Sequence, residues 1–334
     1  MRALEVTAPF GLDALQVVDR PDPSPGPGEV LVRMKAVSLN YRDFLMVHGM
    51  YGRGSAGADV ITPFSDGCGV VEAVGAGVTR VKPGDRVASL FFQAWNSGRP
   101  TLEKLSSALG FPIPGAGREL AVFSQEGVSK VPDFLTDQQV ATLPCAALTA
   151  WRGLFEDARL EPGDTVVLQG TGGVSIFGLQ FAKMAGYRTI ITSSSDEKLA
   201  RAKALGAYHL INYKTTPEWG KAVRDIVPEG ADFIMEVGGG GTIQQSLRAV
   251  RIGGHIAVIG VVAGAKAHHE VGVFCHHVQQ RDGYLQLGPA ETLDQTELFR
   301  LEHKAHHLYR KRAVSRGELR LPSLGTGAAI WPRP

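Results

Sequence analysis

Between residues 164 and 262 short β-branched runs alternate with segments of helical period. DTVVLQG leads into VSIFGLQFAKMAG, RTIITS into DEKLARAKALG, HLINY into PEWGKAVRDIV and DFIMEVG into TIQQSLRAV, and HIAVIGVV closes the series. The turns between them are short and rich in glycine. Neighbouring parallel strands need a crossover connection, so this order predicts a doubly wound parallel sheet covered by helices. A further helical segment, TDQQVATLPCAALTAWRGLFEDARL, precedes the first strand, with Thr136 as its N-cap. The unit is placed at 127–264.

The first strand–helix junction, LQGTGGVSIFG, carries Gly170, Gly172 and Gly173, followed by Val174. A glycine at such a turn tolerates positive φ, and bare backbone lets a diphosphate approach. The helix N-terminus adds unpaired N–H groups and partial positive charge. The third glycine of the G-x-G-x-x-G pattern is replaced here, and a tight turn without ligand is the competing reading. The strand–helix context favours a dinucleotide site.

The second strand ends in Thr192, Ser193, Ser194 and Ser195, where an NAD site carries an acidic residue for the ribose hydroxyls. A carboxylate there would repel a 2′-phosphate, whereas serines leave room and donate. Lys198 and Arg201 in the next helix would add positive charge. NADP(H) is therefore favoured over NAD(H). Ser194 with Glu197 also fits a capping box, which is the plainer reading of the serines, and Asp196 and Glu197 work against a phosphate.

Residues 1–126 read differently. EVLVRMKAVSL, GVVEAVG and DRVASLF alternate with turn clusters such as DPSPGPGE, as in a barrel or sandwich, and YRDFLMVHGM reads as a short helix or turn. With 44% hydrophobic and 20% charged residues, the chain has the composition of a globular protein with a substantial core. A net charge of +2 argues for neither nucleic acid nor an anionic membrane as partner, neither is expected, and no uncharged apolar run reaches spanning length. Three scattered cysteines, Cys68, Cys145 and Cys275, make no disulfide framework and fit a reducing cytoplasm.

The ordered motifs PGPGEVLVRMKAVSLNYRD, PFSDGCGVVEAVGAGVTRVKPGDRV, LPCAALTAW, GTGGVS, AKALGA, EVGG and GGHIAVIG resemble the medium-chain dehydrogenase/reductase superfamily over about 1–264. The resemblance is to its zinc-type alcohol dehydrogenase-like and quinone oxidoreductase-like branch. It implies a GroES-like β-barrel catalytic domain followed by a Rossmann domain. It also implies an NAD(P)-dependent oxidoreductase acting on a small apolar carbonyl, enone or quinone, in a family that is usually homo-oligomeric.

The catalytic zinc ligands of the alcohol dehydrogenases align with Asn40, Ser65 and Cys145, and the cysteine cluster of structural zinc has no counterpart. One thiol does not make the three protein ligands of a catalytic site, so no zinc is expected. The resemblance puts Asn40 and Tyr51 at the cleft as hydrogen-bond donors, with Ser65 as a third. Asp43 is an orienting aspartate or a local cap. Thr149 lies beside the nicotinamide, Tyr213 joins the cofactor set, and Gly238, Gly239 and Gly260 bring backbone close to it. Phe64, Phe91, Phe92 and Trp95 are pocket or core.

Residues 265–334 break the pattern. Apolar periodicity stops, seven of the ten histidines fall here, in clusters such as HH and CHH, and none of the family's closing motifs occurs. Metal binding, a divergent segment and a shifted reading frame near codon 266 compete. The frameshift accounts best for the abruptness. A damaged C-terminus would leave the oligomeric state in doubt and favour a second function, a catalytically silent dinucleotide-binding protein.

Overall fold

The structure, a computed structural model, describes residues 1–51 and 58–264, with three short strands beyond. The first unit contains β1 (Arg2–Thr7), β2 (Leu15–Asp19), β3 (Glu29–Ser38), α1 (Tyr41–Val47), β4 (Val60–Ile61), β5 (Asp66–Val74), β6 (Arg86–Ser89), α2 (Leu102–Leu105), β7 (Leu120–Ser124) and β8 (Val128–Lys130). An antiparallel sheet runs in the order β7-β3-β5-β6-β8, and a smaller one in the order β2-β1-β4. Val30, Val32, Val71, Val87, Ala121 and Phe123 fill the space they enclose. This is the GroES-like unit. Its last strand, β8, still pairs with β6 through Val87 and Lys130, so the sheet runs past the expected boundary at 126.

The helical segment after it divides into α3 (Asp137–Ala141) and α4 (Leu148–Trp151), each followed by a π-helical turn, at Leu143–Ala147 and Arg152–Asp157 respectively. Thr136 caps α3 as expected: its hydroxyl accepts the Gln139 N–H, and the Gln139 side chain accepts the Thr136 N–H. The π turns were not visible as such, because a run of apolar residues fits either helix.

The second unit then alternates β9 (Thr165–Leu168), α5 (Gly173–Met184), β10 (Arg188–Ser193), α6 (Asp196–Leu205), β11 (His209–Asn212), α7 (Trp219–Ile226), β12 (Ala231–Glu236), α8 (Ile243–Ala249) and β13 (Val250–Val258). The strands are parallel in the order β11-β10-β9-β12-β13. They are apolar at consecutive positions because both faces are covered. Val167, Ile190, Ile234 and Ile256 pack with Trp219, Val223 and Ile243 from α7 and α8. Val166, Leu168, Ile191, Phe233 and Met235 pack with Leu154, Leu179, Leu199 and Ala202 on the other face. Each such side chain stabilises the fold by on the order of 1.5–3 kcal/mol.

Beyond residue 264, β14 (Tyr284–Gln286), β15 (Phe299–His303) and β16 (Leu308–Lys311) form an antiparallel sheet in the order β14-β16-β15. The histidine pairs at 268–269, 276–277 and 306–307, Cys275 and the frameshift reading otherwise fall outside the described residues. Among the described residues no helix is long and apolar enough to cross a membrane.

Candidate active site

The glycine turn has the geometry its sequence suggested. Gly170 has φ 71°, a region costly for residues with a Cβ, whereas Gly172 is extended at φ −80°, ψ 178°. A Cβ on Gly172 would meet nothing within 4 Å, so the turn is bare on its outer side. Gly172 and Gly173 are exposed, and no side chain caps α5. Its first N–H groups are thus available to an anion. At the replaced glycine position Ser175 is buried, and its hydroxyl donates to Gln169 O at 2.5 Å. Val174 packs inward on the core beneath α5.

The serine strand end lies alongside. Ser193 is buried with its hydroxyl 3.2 Å from that of Thr171, and Tyr213 N–H donates to Ser193 O at 3.0 Å. The expected capping box on Ser194 and Glu197 is not formed. Ser195 caps α6 instead, its hydroxyl accepting the Lys198 N–H, because β10 ends at Ser193 and Ser194 forms a bend before the helix begins. Ser194 is therefore not engaged as a cap. Lys198 and Arg201 are exposed on α6, and Asp196 accepts a hydrogen bond from Asn212 Nδ2 at 2.7 Å.

Gly238 and Gly239 are buried at the end of β12, where both N–H groups donate to Glu236 Oε1 at 2.8 and 3.0 Å. They offer a ligand no N–H donor, in contrast to Gly172 and Gly173. Glu236 also accepts from Thr242, Ser246 and Gln169, and Gln169 Oε1 in turn accepts the N–H groups of Val237 and Gly238. Sequence reasoning missed this buried carboxylate. An ionisable residue inside the apolar strand DFIME was the available signal. Gly239 takes φ 76°, and a Cβ there would lie 3.0 Å from Gly260 O, so the loops after β12 and β13 touch.

The expected catalytic residues converge at the start of α1 and the start of β5. Asn40 is the N-cap of α1, and Asp43 Oδ2 accepts the Asn40 N–H at 2.8 Å. Asp43 Oδ1 accepts the Phe64 N–H at 3.1 Å, so this residue is both a cap and a tie to the neighbouring segment. Phe64 sits in the left-handed region at φ 72°, which is strained for a residue with a side chain and marks the approach to Ser65 and Asp66. Burial raises the Asp43 carboxyl to about 6, against the Asn40 N–H and the Arg42 charge. Burial raises Asp66 as well, opposed by Ser65, Asn40, the Cys145 N–H and Arg42.

At this cluster Ser65 departs from its expected role, and the aromatic side chains take defined places. Ser65 was expected to donate into the cleft, but its hydroxyl donates to Asp66 Oδ1 at 2.7 Å and the residue is fully buried. Phe64 packs on the barrel core rather than a pocket. Tyr51, put at the cleft by the resemblance, lies with its ring 4.6 Å from the Arg42 guanidinium, and Phe91 lies over the same group at 4.3 Å. Phe92 stacks between Phe91 and Trp95, with ring centroids 4.6 and 5.2 Å apart. Arg42 and Asp66 were not singled out in the sequence, where Arg42 reads as an ordinary solvated charge. Asn40 Nδ2 is buried beside Asp66 without a partner in hydrogen-bonding geometry among the described residues.

The π turn at Leu143–Ala147 joins the two halves. Leu148 N–H reaches back five residues to Leu143 O, and this wide turn presents the Cys145 N–H to Asp66 Oδ2 at 3.0 Å. The adjacent Ala146 Cβ lies 3.3 Å from where a Cβ of Gly173 would sit. Thr149 follows on α4, which packs against α5. The barrel cluster and the glycine turn therefore meet across a single helical turn.

Two family profiles match the chain in this order. The alcohol dehydrogenase GroES-like domain covers residues 26–133, and the zinc-binding dehydrogenase domain covers 173–284. A zinc-type alcohol dehydrogenase-like protein of Schizosaccharomyces pombe is 45% identical over 240 residues, 71% of this chain and 69% of the relative. The chain belongs to the medium-chain dehydrogenase/reductase superfamily.

Solved members of that superfamily share its fold. An NAD-dependent alcohol dehydrogenase is 34% identical with a TM-score of 0.71, covering 78% of each chain. A quinone oxidoreductase of Pseudomonas syringae is 30% identical with a TM-score of 0.67, over 79% of this chain and 74% of that one. A mycobacterial protein solved with NADPH is 31% identical with a TM-score of 0.67, over 79% and 75%. A nicotinamide dinucleotide is therefore the coenzyme class of the superfamily's shared site.

Catalytic zinc does not fit the donor set at this position. Cys145 is the one thiol at this position, Asn40 is an amide, and the Ser65 hydroxyl is committed to Asp66. Among the described residues no three His, Cys, Asp or Glu side chains group as a metal site.

Proposed function

We propose that the protein is a zinc-independent, NADP(H)-dependent oxidoreductase that moves a hydride between the coenzyme and a small apolar carbonyl, enone or quinone. The observation that carries this reading is the π turn, which sets Cys145 against Asp66 and Ala146 against Gly173 and so puts the polar cluster next to the bare turn. The α5 N–H groups at Gly172 and Gly173 would hold the pyrophosphate, and Val174 would back the turn. Ser193, Ser194, Lys198 and Tyr213 would surround the 2′-phosphate. Thr149, Gly238, Gly239 and Gly260 would flank the nicotinamide half. The bound coenzyme supplies the redox chemistry.

The chain's own part is to bind, orient and polarise. Asn40 Nδ2 is a buried donor without a hydrogen-bond partner among the described residues, and it would donate to the substrate oxygen as negative charge develops there. The Tyr51 hydroxyl would be a second donor. Asp43 holds Asn40 in place through its backbone, and Ser65 fixes Asp66. Phe91, Phe92 and Trp95 would supply apolar surface. The sparse cysteines would suit a reducing cytoplasm.

Oxidation of NADPH with a panel of quinones, enones and aldehydes, compared with NADH, tests the proposal. Saturable turnover faster with NADPH supports it. Tight coenzyme binding without turnover on any acceptor would favour the silent dinucleotide-binding protein, a reading supported by the departure of residues 265–334 from family pattern.

A further inference from the structure

Arg42 is 8% exposed, yet among the described residues no carboxylate grips it. The Nε and Nη2 atoms of an arginine share one edge of the guanidinium plane and form the fork that fits a carboxylate. In this chain that edge of Arg2 holds Glu119, that of Arg20 holds Glu5, that of Arg33 holds Glu72 and that of Arg86 holds Asp137. In Arg42 both atoms of the edge are buried and without a hydrogen-bond partner among the described residues. Only Nη1 is engaged, donating to Leu109 O at 2.7 Å.

The neighbouring acids do not fill the gap. Asp43 uses its oxygens on the Asn40 and Phe64 N–H groups, and Asp66 uses its own on Ser65 and the Cys145 N–H. Both feel the Arg42 charge, but neither pairs with the fork. Tyr51 and Phe91 lie over the guanidinium and hold its plane, so the edge is fixed in direction. A buried donor pair, preorganised and unpaired, beside the unpartnered Asn40 amide, is the signature of a site awaiting an oxyanion.

We propose that the Nε–Nη2 edge of Arg42 binds the carboxylate of the substrate, so that among conjugated acceptors the preferred class is the α,β-unsaturated carboxylates. The assignment rests on the hydride-transfer reading above. The β-carbon receives a hydride from the reduced coenzyme, which leaves oxidised. The C=C π pair shifts toward the α-carbon and the carboxylate, and a proton from water completes the α-carbon to give the saturated acid. Charge gathers on the two oxygens during this step, where the fork meets it. Arg42 is thereby a specificity-determining residue.

The test compares but-2-enoate with its methyl ester as acceptors for NADPH, in the full-length protein and in Arg42→Met and Arg42→Lys. The wild type is expected to favour the carboxylate in kcat/KM, and the carboxylate-to-ester ratio is expected to fall at least ~100-fold in Arg42→Met, whatever the absolute rates. Arg42→Lys, which keeps charge but loses the fork, should fall between. In parallel, butanoate and methyl butanoate are titrated against the NADPH-bound protein by thermal shift, and only butanoate should stabilise it. That arm decides the matter in the wild type alone if Arg42→Met does not fold or if neither acceptor turns over. A wild type that prefers the ester, a ratio unmoved in Arg42→Met, or no response to butanoate would overturn the assignment while leaving ester reduction, and so the hydride-transfer reading, intact. Absence of NADPH binding would instead remove the underlying reading.

Discussion

Asp66 Oδ2 accepts the backbone N–H of Cys145 at 3.0 Å, a bond between the first strand residue of β5 and the π turn ahead of α4. The two residues are 79 positions apart in sequence. Their contact fixes where the barrel cluster stands relative to the glycine turn. Replacing Asp66 by Asn keeps the shape but leaves fewer acceptors for Ser65 and Cys145. A stability loss of about 1–3 kcal/mol is expected, together with a fall in kcat larger than any change in NADPH affinity. Denaturant unfolding and steady-state kinetics check both.

Gly172→Ala separates folding from binding. Its backbone angles suit alanine, and the added methyl would meet nothing in the protein. Melting temperature should stay within about 1–2 °C, while the methyl projects where a diphosphate would lie, and the NADPH dissociation constant should rise at least ~10-fold. Unchanged affinity, measured by fluorescence quenching, would remove the coenzyme from this turn.

Ser194 is not a helix cap, since Ser195 takes that role. Ser194→Asp should therefore fold normally. It places a carboxylate where the 2′-phosphate is proposed to bind, and the NADPH-to-NADH ratio of kcat/KM should drop by at least ~10-fold. A ratio that does not move would place the phosphate elsewhere.

Asp43 gives a pH dependence of definite sign. Burial lifts its carboxyl from 3.8 to about 6, so between those values the folded protein keeps a proton that the unfolded chain releases. Stability from this group is complete below about pH 4 and declines as pH rises to 6, by at most about 3 kcal/mol. Asp66 shifts in the same direction, so the measurement is a difference: urea unfolding at pH 4.5 and 6.5, wild type against Asp43→Asn. The variant should show the smaller decline.

Metal removal should change nothing. Extended dialysis against a chelator is expected to leave NADPH-dependent turnover intact, and elemental analysis to find far less than one zinc per chain. Activity lost on dialysis and restored by zinc would reverse the assignment of Asn40, Ser65 and Cys145.

Much of this fold was readable before any coordinates. Strands buried on both faces leave runs such as TVVL and FIME, and glycine turns punctuate them, so the parallel unit announced itself. Asn40 and Asp43 came from the resemblance of SLNYRD to the family motif, with a local cap as the other reading of Asp43. Arg42 was not legible, since nothing in SLNYRD shows that its arginine turns inward beneath Tyr51 and Phe91. Cap assignment slipped by one residue, from Ser194 to Ser195, because three serines in a row give the same signal at each position. Glu236 was hidden for a different reason: its five hydrogen bonds come from Gln169 just after β9, from Gly238, Gly239 and Thr242 between β12 and α8, and from Ser246 in α8, and its burial is a property of their convergence.

The widened turn at Leu143–Ala147 also limits how this molecule can be altered. Compared with a regular α turn it holds one surplus residue. Deleting any one of the five would regularise the local winding and withdraw the Cys145 N–H from Asp66 Oδ2. Length at this spot is thus under tighter restraint than chemistry: side chains here can be exchanged, but the register count cannot.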